Sequence, residues 1–144
     1  MTRTVVTRSI KAPINLVFKT VSEIENFSKA IPHIMRAEFL SENKSGIGAR
    51  FRETRLMRGK EVSTELEVTE FVQDSHVRLV ADSHGTVWDT LFEVSPNNGG
   101  TELTMTMDAR AYRLLPKILN PLMKGMVRRA IEQDMDMIKS FCEG

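Results

Sequence analysis

A carboxylate and a guanidinium stand two residues apart in the stretch GARFRETRLMRGKE, which begins at Gly48. If this stretch is a β-strand, Glu53 and Arg55 point to the same face as Phe51, because side chains alternate along a strand. A carboxylate in an apolar setting serves as a general acid or base, and a guanidinium there orients a carbonyl or enolate oxygen. The alternative is a purely structural ion pair, which is common at this spacing.

The pairing of this strand with the next one decides which face is buried. A two-residue turn at positions 58–59 gives one face two opposite-charge pairs, Arg50 with Glu67 and Arg52 with Glu65. The other face is then mostly apolar, with the pairs Ala49–Val68, Phe51–Leu66, Glu53–Thr64 and Arg55–Val62. The charge pattern therefore predicts that Glu53 and Arg55 lie on the inner face of the sheet.

The elements that must position this pair follow from the rest of the pattern. A chain of 144 residues fits a single domain covering residues 1–144. The β-rich run TVVTRSI is followed by the helical pattern INLVFKTVSEIENF, and the stretch from IMRAEFLSE to TELTMTMDARA reads as successive strands. Short turn signals separate these strands, so we expect an antiparallel sheet of about seven strands, with two short helices after the first strand.

Two further hairpins extend the apolar face of the sheet. A turn at His84 and Gly85 predicts the pairs Val77–Phe92, Leu79–Thr90 and Ala81–Trp88. A longer loop at SPNNGG predicts the pairs Phe92–Leu103, Thr90–Met105 and Trp88–Met107. On the outer face, this second register places Glu93 opposite Glu102 as a mildly unfavourable like-charge pair.

The C-terminal segment LLPKILNPLMKGMVRRAIEQDMDMIKSFCEG is amphipathic at helical spacing. Asn120 followed by Pro121 is typical of an N-cap and a first helical residue, so we expect a short turn plus a long helix, or one kinked helix. The predicted apolar arc contains Leu119, Leu122, Met123, Met126, Val127, Ala130, Met137 and Phe141. Asp134 falls inside this arc. We expect it to cap a strand or lie at the sheet edge, with a cavity-facing acid or base as the alternative.

This order of elements resembles the START-like helix-grip superfamily (SRPBCC), which includes polyketide cyclases and dehydrases, lipid-transfer domains and the birch pollen allergen group. The resemblance covers the whole chain and rests on SIKAPINLVFKTVSEIENF, IPHI, GIGARFRETR, VTEF and GGTELTMTM. It implies an α+β fold in which a curved antiparallel sheet wraps around a long C-terminal helix. It also implies a cavity between sheet and helix, commonly for an apolar or amphipathic small molecule.

On that geometry, Glu53 and Arg55 are the candidate catalytic residues. The ligand-binding candidates are the inner-face and helix residues Phe51, Thr64, Leu66, Trp88, Thr90, Met105, Met107, Leu122, Met123 and Met126. The methionines suit an adaptable lining, although methionine is more often core filler. Core packing is likewise the more frequent role of a single tryptophan, with ligand stacking second.

Three functions are compatible with these residues. The first is a binding or carrier domain that encloses a hydrophobic or aromatic small molecule between the sheet and the C-terminal helix. The second is an enzyme of the cyclase or dehydrase kind, with Glu53 as general acid or base and Arg55 orienting an oxygen. The third is a protein-interaction module that uses the outer sheet face.

Composition argues against several other classes. The formal net charge is +1, and the basic residues near the first hairpin are partly matched by glutamates, so no nucleic-acid partner is expected. No segment has the apolar length of a signal peptide or membrane span, which predicts a cytoplasmic protein, monomeric or homodimeric, without stable membrane insertion. The single cysteine, Cys142, suits a reducing compartment. No motif predicts a cofactor, the histidines lack metal-ligand spacing, and His33 is the best of them for a cavity entrance.

Overall fold

The computed structural model describes residues 1–144 and contains seven strands and four helices. The strands are β1 (Thr2–Ile10), β2 (Ile34–Phe39), β3 (Arg50–Met57), β4 (Lys60–Val72), β5 (His76–Ser83), β6 (Thr86–Asn97) and β7 (Gly100–Ala111). The helices are α1 (Ile14–Ser22), α2 (Ile24–Ala30), α3 (Leu114–Leu122) and α4 (Lys124–Glu143). This α+β helix-grip architecture is the one that the sequence predicts, including the two short helices after the first strand.

All seven strands form one antiparallel sheet in the order β1-β7-β6-β5-β4-β3-β2. The register shifts between Ile34 and Arg36 in β2 and between Val68 and Glu70 in β4. Irregularities of this kind bend a strand and increase its local twist, which favours a sheet that curves around a helix. The helices cover one face of this sheet.

Two of the three predicted hairpin registers are confirmed. In the β3–β4 hairpin, Arg50 pairs with Glu67 and Glu53 pairs with Thr64. Arg58 and Gly59 at its tip both have positive φ, at 53° and 78°, which is the backbone of the tight two-residue turn that matches strand twist. The β5–β6 hairpin likewise turns at positions 84–85 with the expected pairs.

The predicted β6–β7 register was wrong by two residues. Asn97 pairs with Gly100, so the turn consists of Asn98 and Gly99 alone, both with positive φ. An Asn-Gly dipeptide is the preferred sequence for such a turn, and this signal outweighs the longer SPNNGG loop. The observed pairs are Phe92–Met105, Thr90–Met107 and Trp88–Ala109, and on the outer face Glu93–Thr104 and Ser95–Glu102. Because a shift of two residues keeps each side chain on its face, the inner-face residues are unchanged.

The C-terminal segment forms two helices that meet at Met123. The predicted N-cap at Asn120 was wrong, since Asn120 and Pro121 lie inside α3, and the Asn120 side chain donates a hydrogen bond to the Thr86 hydroxyl at 3.1 Å. The apolar arc is also displaced, because Phe141 is exposed. The buried residues of α4 are Ile131, Met135, Ile138 and Cys142.

The hydrophobic core lies between the sheet, α1, α2 and the second half of α4. Its largest fully buried side chains include Phe18, Ile10, Ile31, Leu103, Met135 and Ile138. The first turns of α4 contribute no buried residue, and neither does α3. Packing is therefore concentrated at one end of the layer between helices and sheet.

Candidate functional site: a cavity between sheet and C-terminal helices

The other end of this layer is a cavity of about 840 Å³. Its walls come from the inner faces of β3 to β7, from α3, from the first half of α4 and from the α1–α2 junction. Of the 31 lining residues, 19 are hydrophobic, so the interior is mainly apolar. This volume lies within the range of roughly 300 to 1,000 Å³ that is typical of small-molecule sites.

Most of the residues proposed from the sequence line this cavity. Strand alternation brings Phe51, Glu53 and Arg55 of β3 onto its wall, and the neighbouring strands contribute Thr64, Leu66, Trp88, Thr90, Met105 and Met107. Met123 lines it from the α3–α4 junction. Leu122 and Met126 do not line it: Leu122 faces away from the cavity, and the Met126 sulfur accepts a hydrogen bond from Arg58 Nη2 at 3.2 Å.

One polar cluster stands on this apolar wall. Arg55 donates from Nε to Glu53 Oε1 and from Nη1 to Asp134 Oδ2, the latter at 2.9 Å. The side chains of Glu53, Arg55 and Asp134 are 11%, 24% and 14% exposed. Asp134 therefore faces the cavity and pairs with Arg55, in place of the strand cap or sheet-edge position that the sequence favoured.

The cluster holds two carboxylates and one guanidinium. Burial opposes the charged form of Arg55, but the nearby carboxylates of Glu53 and Asp134 more than offset this effect and hold the pKa of Arg55 above its ordinary value. Arg55 is thus a fixed cation. With both carboxylates ionised, the cluster carries one uncompensated negative charge.

Part of the hydrogen-bonding capacity of this cluster is free. Glu53 Oε2 and Asp134 Oδ1 accept no hydrogen bond from the chain. They are not fully buried either, because the only fully buried side-chain nitrogen or oxygen without a well-aligned partner is Arg78 Nε, on the outer face. The second carboxylate oxygens are consequently accessible from the cavity. Thr64 and Thr90 line the same space. The arrangement can accept hydrogen bonds from a donor on a bound molecule.

The cavity reaches the surface beside α3. Exposed residues at this end include Met57, His84, Arg113 and Leu115, all of which also line the cavity. His33, the histidine expected at the entrance, does not line the cavity, although its carbonyl accepts a hydrogen bond from Leu56 N–H at 3.0 Å, one residue before Met57. The histidine that lines the cavity is His84. No group of three or more His, Cys, Asp and Glu side chains is arranged to hold a metal ion.

The outer face of the sheet carries a separate set of charges that are matched to one another. Asp89 pairs with Arg78 at 3.1 Å and with Arg110 at 3.2 Å, and Asp108 pairs with Arg3 at 2.7 Å. The hydrogen bond from Arg3 holds the pKa of Asp108 below its ordinary value. These mutual pairs leave little uncompensated charge for a protein partner on this part of the outer face.

The fold and the enclosed apolar cavity define a START-like helix-grip protein. Residues 1–143 match the sequence profile of the family described as polyketide cyclase / dehydrase and lipid transport, and the chain belongs to this family. A comparison with curated protein sequences found no match. None of the four helices combines the length and apolar character needed to cross a bilayer.

Solved structures share the fold at low sequence identity. The TTHA0849 protein of Thermus thermophilus has a TM-score of 0.79 and 16% identity, with 98% of this chain and 97% of that chain covered. A START superfamily protein from Mycobacterium smegmatis has a TM-score of 0.80 and 16% identity, with coverage of 98% and 97%. The protein Ara h 8.0201 has a TM-score of 0.76 and 14% identity, with coverage of 98% and 97%. At these identities the likeness concerns the fold alone.

Proposed function

We propose that the protein binds and carries a hydrophobic or aromatic small molecule in the cavity between the sheet and the C-terminal helices. The observation that carries this proposal is a largely apolar cavity of about 840 Å³ with one largely buried charged cluster, formed by Glu53, Arg55 and Asp134, on its wall. Apolar walls supply affinity, and a few polar groups fix the orientation of the ligand. The family description, which includes lipid transport, supports the same class of ligand.

The cluster narrows the chemistry of the ligand. Because Glu53 and Asp134 outnumber Arg55, a ligand carboxylate placed there would meet net negative charge, whereas a hydroxyl or amine would donate to the free oxygens. A donor also offsets the cost of keeping a charged group in an apolar enclosure. We therefore expect an apolar molecule that carries a hydroxyl or amino group at one end.

Native mass spectrometry of freshly purified protein, followed by solvent extraction, tests the carrier function. We expect a co-purifying apolar compound with a hydroxyl or amino group, released when the protein is denatured. Protein stripped of ligand should take up fluorescent alkyl alcohols or alkylamines. A ligand-free protein that takes up neither these nor a fluorescent fatty acid would contradict the proposal.

An enzyme of the cyclase or dehydrase kind is the second candidate, favoured by the free oxygen of Glu53 on the cavity wall. Glu53 in its ion pair with Arg55 would act as a base, and the unused N–H groups of Arg55 would bind a carbonyl or enolate oxygen. For a substrate of this reaction, Glu53→Gln should retain binding while turnover falls by about 10² to 10⁴. Turnover that survives this change would exclude Glu53 as the base.

A further inference from the structure

Helix α3 presents a row of large apolar side chains to solvent. Leu114, Ile118 and Leu122 are spaced four residues apart, so they share one helix face, and they are 75%, 55% and 78% exposed. They do not line the cavity, whose wall uses the opposite side of α3. A contiguous apolar surface of this kind marks an interaction site.

This row continues around the mouth of the cavity. Leu115 of α3 and Met57 and Val62 of the β3–β4 hairpin are exposed and line the opening. The contact between Arg58 and Met126 joins the hairpin tip to the start of α4. We call this surface, formed by α3 and the tip of the β3–β4 hairpin, the mouth surface.

Most of the charged residues that flank the mouth surface are basic. The acidic exceptions are Glu61, which pairs with Arg36, and Asp82, which accepts a hydrogen bond from Tyr112. Between Asp108 and Glu132 the chain contains no acidic residue; apart from Arg110, which lies on the outer face of the sheet, its basic residues are Arg113, Lys117, Lys124, Arg128 and Arg129. The hairpin tip adds Arg58 and Lys60. Among the basic residues of these two segments only Arg110 takes part in an ion pair. With a formal net charge of +1 for the whole chain, this is a strong local excess of positive charge.

We infer that the mouth surface docks onto the surface of an anionic lipid bilayer. Apolar side chains on one helix face enter the boundary between headgroups and acyl chains, and flanking lysines and arginines bind anionic headgroups. A second copy of the chain fits less well, because a two-fold symmetric contact through α3 would bring the unpaired cations of both copies together. An anionic bilayer offers an apolar environment for the row of apolar side chains and negative charge for the basic residues.

Docking in this orientation places the opening of the cavity against the membrane. An apolar molecule can then pass between bilayer and cavity without crossing water. This inference goes beyond ligand binding and does not depend on it, because the docking residues Leu114, Ile118 and Leu122 are distinct from the cavity wall.

Flotation with phosphatidylcholine vesicles, with or without phosphatidylglycerol, tests the inference. The protein should bind the vesicles that contain phosphatidylglycerol, and added salt should weaken this binding. Ile118→Ser with Leu122→Ser should lower the partition coefficient at least about tenfold, given the transfer free energy of the lost apolar groups. Lys117→Glu with Lys124→Glu should lower it by a similar factor.

Matched controls lie on other parts of the surface. Ile47→Ser with Val72→Ser removes exposed apolar groups, and Lys29→Glu with Lys44→Glu reverses charges, so neither pair should change vesicle binding. Circular dichroism verifies that each variant is folded. Absence of binding to anionic vesicles would overturn the inference, as would binding unaffected by the α3 variants. A wild-type dimer that Ile118→Ser and Leu122→Ser dissolve, without vesicle binding, would assign the surface to a chain–chain contact instead.

Discussion

Replacing Arg55 with methionine should lower the free energy of unfolding by about 3 kcal/mol, because breaking a buried ion pair from one side leaves uncompensated charge in an apolar enclosure. Here the loss of Arg55 leaves two carboxylates, Glu53 and Asp134, without a counter-charge, and both are largely buried. Methionine fills much of the volume of the arginine stem, so the effect reports mainly on charge. Urea unfolding of wild type and variant at neutral pH measures it.

Two further variants make this test specific. Arg52→Met removes an arginine from the outer face of the same strand, where it pairs with Glu65 at 2.7 Å and is more exposed, so we expect a change of no more than about 1 kcal/mol. A triple variant, Glu53→Met with Arg55→Met and Asp134→Leu, removes all charge and should recover stability to within about 1 kcal/mol of wild type. If Arg55→Met unfolds at the same urea concentration as wild type, the cluster is not buried as described.

The second large effect concerns the choice of ligand. A dansyl-labelled alkylamine should bind at least about tenfold more tightly than a dansyl-labelled alkanoic acid of equal chain length, since one hydrogen bond to a charged group contributes about 1.5 to 3 kcal/mol. Glu53→Gln with Asp134→Asn should reverse this order, because Arg55 then remains as the only charge in the cluster. Fluorescence titration gives both dissociation constants.

The control for this reversal uses glutamates on the outer face. Glu65→Gln with Glu67→Gln removes the same number of carboxylates from the opposite side of the sheet and should leave the preference for the amine intact. Tighter binding of the acid by the wild type would contradict the orientation proposed for the ligand. It would leave the carrier function standing, since an apolar molecule would still occupy the cavity.

Charge patterning predicted the inner face of β3 from the sequence. Only one register of the β3–β4 pair places Arg50 opposite Glu67 and Arg52 opposite Glu65. In that register Glu53 and Arg55 lie on the inner face of the sheet. The β6–β7 register was predicted less well, because the Asn98–Gly99 turn lies inside a longer run of turn-forming residues. Because the register error was two residues, it changed which residues pair across β6 and β7 but left each side chain on its predicted face.

The helical half of the site was harder to predict. Amphipathicity identifies an apolar arc, but the break at Met123 divides the segment into two helices, so a single arc placed Leu122 and Met126 over the cavity. The contact between Arg55 and Asp134 joins residues far apart in the chain, and it depends on how α4 lies across the sheet. Sequence periodicity predicts which side of its helix Asp134 occupies. No local pattern predicts how closely that helix approaches Arg55.

The uneven packing of α4 has a consequence for the stability of different parts of the molecule. In its second half, Met135 and Ile138 are buried and pack in the core, whereas the first turns of α4 and all of α3 bury no side chain. We therefore expect the backbone amides of α3 to exchange through local opening at a small free-energy cost, and those around Met135 to exchange only when the whole domain unfolds. For the proposed carrier function, we expect a bound small molecule to enter or leave through local opening at α3 while the rest of the chain keeps its native structure.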